Sequence, residues 1–94
     1  MKLEDFIDIE KFTESITPPS KNIFHTWSST AFEVSHDSYK DIARLRDIYL
    51  EIPEAELRPR QIITFIEDLL QIMPSIEMKK TLVETEVPQF RKFF

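Results

Sequence analysis

The chain has 94 residues, contains no cysteine and no glycine, and carries a formal net charge of −5 at pH 7. A chain of this length forms one domain with a single modest core, so residues 1–94 are treated as one domain. The absence of cysteine excludes disulfides, thiolate zinc sites and cysteine nucleophiles, and the acidic balance argues against broad binding of nucleic acid or anionic membranes.

The absence of glycine narrows both the fold and the chemistry. Glycine is the residue that most easily adopts positive φ and lets a backbone approach a ligand closely. Without it, tight β-hairpins of the primed type are disfavoured, and glycine-rich phosphate loops and nucleophile elbows are excluded. We therefore predict an all-α fold, a single small irregular bundle of four to five short helices joined by proline and by serine, asparagine or aspartate.

Two helices are predicted in the first third of the chain. Residues 3–16 have apolar side chains at helical spacing, although the alternation in FIDIEKF is also typical of a strand, and Pro18 ends this segment. Residues 20–34 place apolar side chains on one face behind a Ser20 N-cap. Their second half, residues 28–34, begins with a Ser-Ser-Thr run of poor helix propensity and is also compatible with extended structure.

The third predicted helix, residues 36–52 with Ser35 as its cap, has an unusually wide apolar arc. Its apolar residues cover well over half of the circumference, whereas a surface helix needs an arc of only about 100°. The helix is therefore predicted to be central or to meet a partner on one side. Tyr39 and Tyr49 of this helix, together with Trp27, lie on apolar stripes and are predicted to be core residues.

Two further helices follow a proline-bounded linker. Residues 54–57 predict one short turn, and Pro59 suits the first turn of a helix over residues 60–73, which has the clearest amphipathic pattern in the chain. A proline stops that helix, and Ser75 caps the last one, over residues 76–87. The apolar stripe of this last helix comprises Ile76, Val83 and Val87.

No catalytic or metal-binding arrangement is predicted. The two histidines are His25 and His36, and Glu33 and His36 have the three-residue spacing of a di-iron ligand pair, but such sites need that motif twice. Ser35, His36 and Asp37 include the residue types of a hydrolase triad, but consecutive side chains diverge, and a helix cap explains them better. We therefore predict no catalytic residue, no metal, no cofactor and no small-molecule substrate.

Arginines form two clusters, Arg44 with Arg46 and Arg58 with Arg60. Acidic residues lie near each cluster, so local ion pairs are predicted. Arg58 and Arg60, held by Pro59 at a helix start, are the pair best suited to grip an acidic partner. An alternative function is a transcription- or replication-associated factor that contacts nucleic acid through these four arginines, and a steep salt dependence of binding would favour it.

Residues 88–94, with the sequence PQFRKFF, concentrate apolar side chains after a proline. In a continued helix, Val87, Phe90 and Phe94 share one stripe with Phe93 alongside. Fully burying one phenylalanine stabilises by about 1.5–3 kcal/mol, so these side chains are predicted to be buried. Either they fold back and close this protein's own core, or they insert into a second chain.

These patterns favour a small non-catalytic protein–protein interaction module, such as an accessory subunit, an adaptor or an inhibitor, that docks through apolar helical surfaces. The predicted partner is another protein or a second copy, and a membrane partner is not expected because no apolar run approaches about 20 residues. A reducing, cytoplasmic location is expected, and the composition also suits a viral or phage regulator. The predicted partner-binding residues are Val87, Phe90, Phe93, Phe94, Arg58 and Arg60.

Overall fold

The computed structural model describes residues 2–87. Within this range the chain is all-helical, with five α-helices, three short 3-10 turns and no strand, which confirms the predicted all-α fold. The α-helices are α1 (Ile9–Ser15), α2 (Asn22–Val34), α3 (Tyr39–Leu50), α4 (Pro59–Ile72) and α5 (Ile76–Glu86). The 3-10 turns cover Leu3–Asp5, His36–Ser38 and Glu54–Glu56.

The first predicted helix is split into two short helical pieces. A 3-10 turn over Leu3–Asp5 precedes α1. Asp8 caps the start of α1, since its carboxylate accepts hydrogen bonds from the backbone N–H groups of Glu10 and Lys11 at 3.1 and 3.3 Å. The 3-10 turn is tied to α4 because the backbone N–H of Leu3 donates to the carboxylate of Glu67 at 3.0 Å. The strand alternative for residues 3–16 is therefore wrong.

Helices α2 and α3 form an antiparallel pair. At one end the Lys21 ammonium group, just before α2, donates to the Leu50 carbonyl at the end of α3 over 2.9 Å. At the other end the rings of Phe32 and Tyr39 lie 4.8 Å apart between their centroids. The Ser-Ser-Thr run stays helical, and the alternative of extended structure over residues 28–34 is wrong.

Helices α4 and α5 begin at the predicted signals. Pro59 occupies the first turn of α4, where its missing N–H group costs no hydrogen bond. The Ser75 hydroxyl accepts a hydrogen bond from the backbone N–H of Met78 at 3.2 Å and so caps α5. Because α2 packs against α3, α4 and α5, it is the central helix of the bundle.

The core is centred on three aromatic rings from three helices. The ring centroids of Phe24, Tyr49 and Phe65 lie between 4.8 and 5.6 Å apart, in tilted and edge-to-face arrangements. Trp27 is buried beside them on α2, as predicted, and its ring meets that of Phe12 edge-on. Helix α4 contributes most to this core, through Ile62, Phe65, Ile66, Leu69 and Leu70.

Helix α3 carries more apolar surface than this core covers. Ile42 is its one buried residue, whereas Tyr39 and Ile48 are each 58% exposed. The wide apolar arc of α3 therefore does not come from a central position, which α2 occupies, and part of the arc faces solvent. The prediction that Tyr39 is a core residue is wrong, because its ring lies on the α2–α3 surface.

Candidate interaction surface

An open groove of about 520 Å³ lies at one end of the bundle. We call it the end groove. It is formed where α2 ends, where α3 begins and where the chain turns from α4 into α5. Its lining comprises Val34, Ser35, His36, Asp37, Ser38, Pro74 and Met78.

Short-range hydrogen bonds fix both walls of the end groove. On the first wall, the hydroxyl oxygens of Ser35 and Ser38 lie 2.9 Å apart and bridge the 3-10 turn between α2 and α3. On the second, the Lys79 ammonium group donates to the Met73 carbonyl at 2.8 Å, which joins the first turn of α5 to the end of α4. Both loops that form the groove are therefore held by contacts within the chain.

Large exposed apolar side chains flank the end groove on both walls. Tyr39, next to the lining residue Ser38, is 58% exposed, and Ile76, between the lining residues Pro74 and Met78, is 48% exposed. Ile76 lies on the apolar stripe predicted for this helix and is exposed, whereas Val83 and Val87 of the same stripe are buried. The lining combines three apolar residues with four polar ones, and exposed apolar side chains next to such a groove are the pattern expected of an interaction surface.

An aromatic and cationic cluster extends this surface along α2 and α3. The Tyr39 ring packs on Phe32, and the Arg46 guanidinium carbon lies 5.9 Å from the Phe32 ring centroid. Asp47 holds the same guanidinium group through an ion pair of 3.1 Å. Tyrosine and arginine are enriched among the residues that dominate binding energy at interfaces. The cluster therefore strengthens the case for an interaction surface here.

Of the predicted apolar binding residues, Val87 lies in the core, and the three phenylalanines lie outside the described residues. Val87 is 3% exposed and belongs to the core cluster, at the end of α5 away from the end groove. Its side chain therefore serves the protein's own packing in this structure. Phe90, Phe93 and Phe94 lie outside the described residues, and their role in partner binding stays a prediction.

Arg58 and Arg60 lie at the start of α4, whereas the end groove lies beyond the end of α4. The Arg58 guanidinium donates to the backbone carbonyls of Ala55 and Leu57, each at 3.0 Å, and so stabilises the linker before α4. Arg60 is exposed on the first turn of α4. The structure gives Arg58 a local structural role and does not bring either arginine to the end groove.

The nucleic-acid alternative depends on four free arginines, and two of them are engaged within the chain. Arg46 pairs with Asp47 against the Phe32 ring, and Arg58 binds backbone carbonyls. Arg44 is exposed on α3. The nucleic-acid alternative stays a prediction, and the structure adds no observation in its favour.

Ser35, His36 and Asp37, which include the residue types of a hydrolase triad, are not arranged as a hydrogen-bonded relay. His36 and Asp37 line the end groove as consecutive residues of a 3-10 turn, and the Ser35 hydroxyl contacts Ser38 instead of the histidine. Among residues 2–87, no group of three or more histidine, aspartate or glutamate side chains is placed to hold a metal ion. No helix in that range combines the length and the apolar character needed to cross a membrane.

Comparison of the chain with protein-family models, with curated proteins and with solved structures finds no match in any of the three.

The end groove itself was missed by the sequence reasoning. Its residues come from two loops that the sequence marks only as helix boundaries, at Ser35 and at Pro74. Helical periodicity predicts which face of each helix is buried, but it does not predict which helix ends meet. A partial signal was present, because the apolar arc of the third predicted helix was too wide for a surface helix, and Tyr39 belongs to that arc.

Proposed function

We propose that this protein is a small non-catalytic interaction module that binds another protein chain, or a second copy of itself, at the end groove. The observation that carries the proposal is the exposure of Tyr39 and Ile76, each within two positions in the sequence of residues that line the groove. The free energy for docking comes from burying these two side chains together with the edges of Val34 and Met78, at about 25 cal/mol per Å² of apolar surface.

The composition of the surface favours a protein segment over a small molecule. The groove is open, and its apolar residues continue outward onto α2 and α3 through Phe32 and Tyr39. A small-molecule site encloses most of its ligand, whereas a docking surface combines a shallow apolar centre with a polar rim. Met78 adds adaptability, because an unbranched thioether side chain can repack around different partner residues.

The proposal is tested by separating binding from folding. The double variant Tyr39→Ser with Ile76→Ser removes the two exposed apolar flanks, and the matched double variant Lys40→Ser with Lys80→Ser removes two exposed residues of the same helices. Exposed substitutions of this kind usually change stability by about 0.5 kcal/mol or less. The measurements are the free energy of unfolding by denaturant and the native mass of the complex that the chain forms in an extract of its source cells.

We expect the first variant to fold normally and to lose the complex, and the second to keep both. A complex that survives Tyr39→Ser with Ile76→Ser unchanged would contradict the proposal. A loss of the complex in both double variants would contradict it as well, since binding would then depend on charge and not on the end groove.

A further inference from the structure

A second groove, which we call the side groove, lies between α1 and α2 beside the end of α5. Its volume is about 290 Å³. It is lined by Phe12, Ser15, Ile16, Ile23, Thr26, Trp27 and Glu86. Helix α5 begins at the end groove and ends at the side groove, so the two grooves are separated by the length of α5, roughly 15 Å at 1.5 Å per residue. An occupant of the side groove is therefore independent of the proposed function.

Helix α1 is the helix that an occupant of the side groove would stabilise. It has seven residues, of which Phe12 is the buried one. It packs against α4. Toward α2, the rings of Phe12 and Trp27 meet edge-on with their centroids 6.2 Å apart, and both residues line the groove. A helix this short is marginal without tertiary contacts.

The segment that follows the last described residue is the candidate occupant of the side groove. Val87 is the last described residue, and the preceding residue, Glu86, lines the side groove. An extended chain advances by at most about 3.6 Å per residue, so a segment of seven residues after Val87 can span up to about 25 Å. The segment 88–94 therefore starts at the groove and is long enough to cover it.

The chemistry of this segment matches the groove. Residues 88–94 hold three phenylalanines and the cations Arg91 and Lys92, and all acidic residues of the chain precede them. The lining of the groove is apolar and hydroxylic apart from one charged residue, Glu86, which is acidic. We propose that residues 88–94 bind in the side groove of the same chain, with phenylalanine side chains against Ile23 and Trp27 and the cations near Glu86.

This binding would hold α1 against α2 and α5. Because the segment is covalently joined to α5 beside the groove, its effective concentration there is far above that of any second copy in dilute solution. The proposal assigns Phe90, Phe93 and Phe94 to the protein's own surface, in place of the predicted partner.

The first test uses two favourable features of the sequence, its single tryptophan and its lack of cysteine. The full chain carrying Lys92→Cys is labelled with bimane, a fluorophore that tryptophan quenches on contact. Trp27 lines the side groove, so we expect strong quenching that Trp27→Phe relieves and that does not change with protein concentration. The same label at Lys40→Cys, on the exposed start of α3, is expected to fluoresce fully.

Absence of quenching at position 92, or equal quenching at position 40, would overturn the proposal. Quenching that appears only as the concentration rises would also overturn it, because the occupant would then be the segment of a second copy.

The second test leaves the groove residues untouched, since Trp27→Phe alone can disturb the core. In the full chain, the triple variant Phe90→Ser, Phe93→Ser and Phe94→Ser removes the apolar side chains of the segment. We expect amide hydrogen exchange to accelerate in α1 and to stay unchanged in α3. Unchanged protection of α1 would overturn the proposal, as would a uniform loss of protection over the whole chain.

Discussion

At the scale of single residues, the most informative polar contact is the hydrogen bond from the Tyr49 hydroxyl to the carboxylate of Asp68, at 2.9 Å. It links α3 to α4 beside the aromatic centre of the core. Burial, together with the hydrogen bond and the negative charge of Asp68, raises the pKa of Tyr49 from 10.0 to about 12. A phenol that must stay protonated in the folded chain makes stability depend on alkaline pH.

We predict a loss of stability at high pH that is specific to Tyr49. Because its pKa in the folded chain, about 12, lies above the ordinary value of 10.0, its stabilising contribution is complete below pH 10 and is lost as the pH rises toward 12. Tyr49→Phe is expected to flatten this part of the pH dependence and to cost about 1 kcal/mol at neutral pH. Denaturant unfolding at a series of pH values measures both effects.

The exposed Tyr39 provides the control for this prediction. Tyr39→Phe removes a phenol hydroxyl from an exposed position and is measured as the matched substitution in the same series. If Tyr49→Phe leaves the alkaline part of the stability profile unchanged, the Tyr49–Asp68 contact does not contribute in the way described here.

Two buried hydroxyl groups of α2 give a contrasting pair of predictions. The Ser28 hydroxyl is buried and has no hydrogen-bond partner among the described residues, whereas the Thr30 hydroxyl donates to the Glu86 carboxylate of α5. Ser28→Ala removes an unsatisfied polar group and is expected to raise the free energy of unfolding by up to about 1 kcal/mol. Thr30→Val removes a hydroxyl group that is hydrogen-bonded and is expected to lower the free energy of unfolding by about 1 kcal/mol. The loss stays this small because water can hydrate the Glu86 carboxylate in place of the missing hydroxyl. Equal effects in chemical denaturation would contradict both assignments.

At the scale of helices, sequence signals located the elements that local chemistry determines. Pro59 at a first turn and the Ser75 hydroxyl at a cap both act within a few residues, and the sequence predicts both helix starts correctly. The break between the first 3-10 turn and α1 was missed, although the capping residue, Asp8, is visible in the sequence. The apolar residues on both sides of Asp8 continue the helical spacing, so periodicity alone does not reveal that break.

The cap of α5 matters for the end groove as well as for the helix. Ser75 holds the first turn of α5, which carries Ile76 and Met78 into the interaction surface. Ser75→Ala is expected to lower the free energy of unfolding by about 1 kcal/mol. Amide exchange is expected to accelerate first at the start of α5. Thr81→Ala, in the exposed middle of the same helix, is the control and should cost little or nothing.

At the scale of the whole molecule, the described chain packs a core and still leaves apolar surface uncovered. The fold class and the clearest buried face, that of α4, follow from the sequence because burial there repeats with the helical period. The end groove forms where helix ends meet. Which ends meet depends on how the helices are arranged in space, and the spacing of apolar residues along the sequence does not predict that arrangement. Tyr39 and Ile76 lie on predicted apolar stripes and are nevertheless exposed for this reason.

Our central proposal is that the partner binds at the end groove and not along the exposed middle of α5. Its most direct test is site-specific photo-crosslinking in the source cells, with a benzophenone side chain placed either at Ile76 or at the exposed Thr81 of the same helix. We predict one discrete adduct from position 76 and none from position 81. Excess unmodified chain should compete the adduct away, and excess Tyr39→Ser chain should not. Equal adducts at both positions, or no adduct at position 76, would contradict the account.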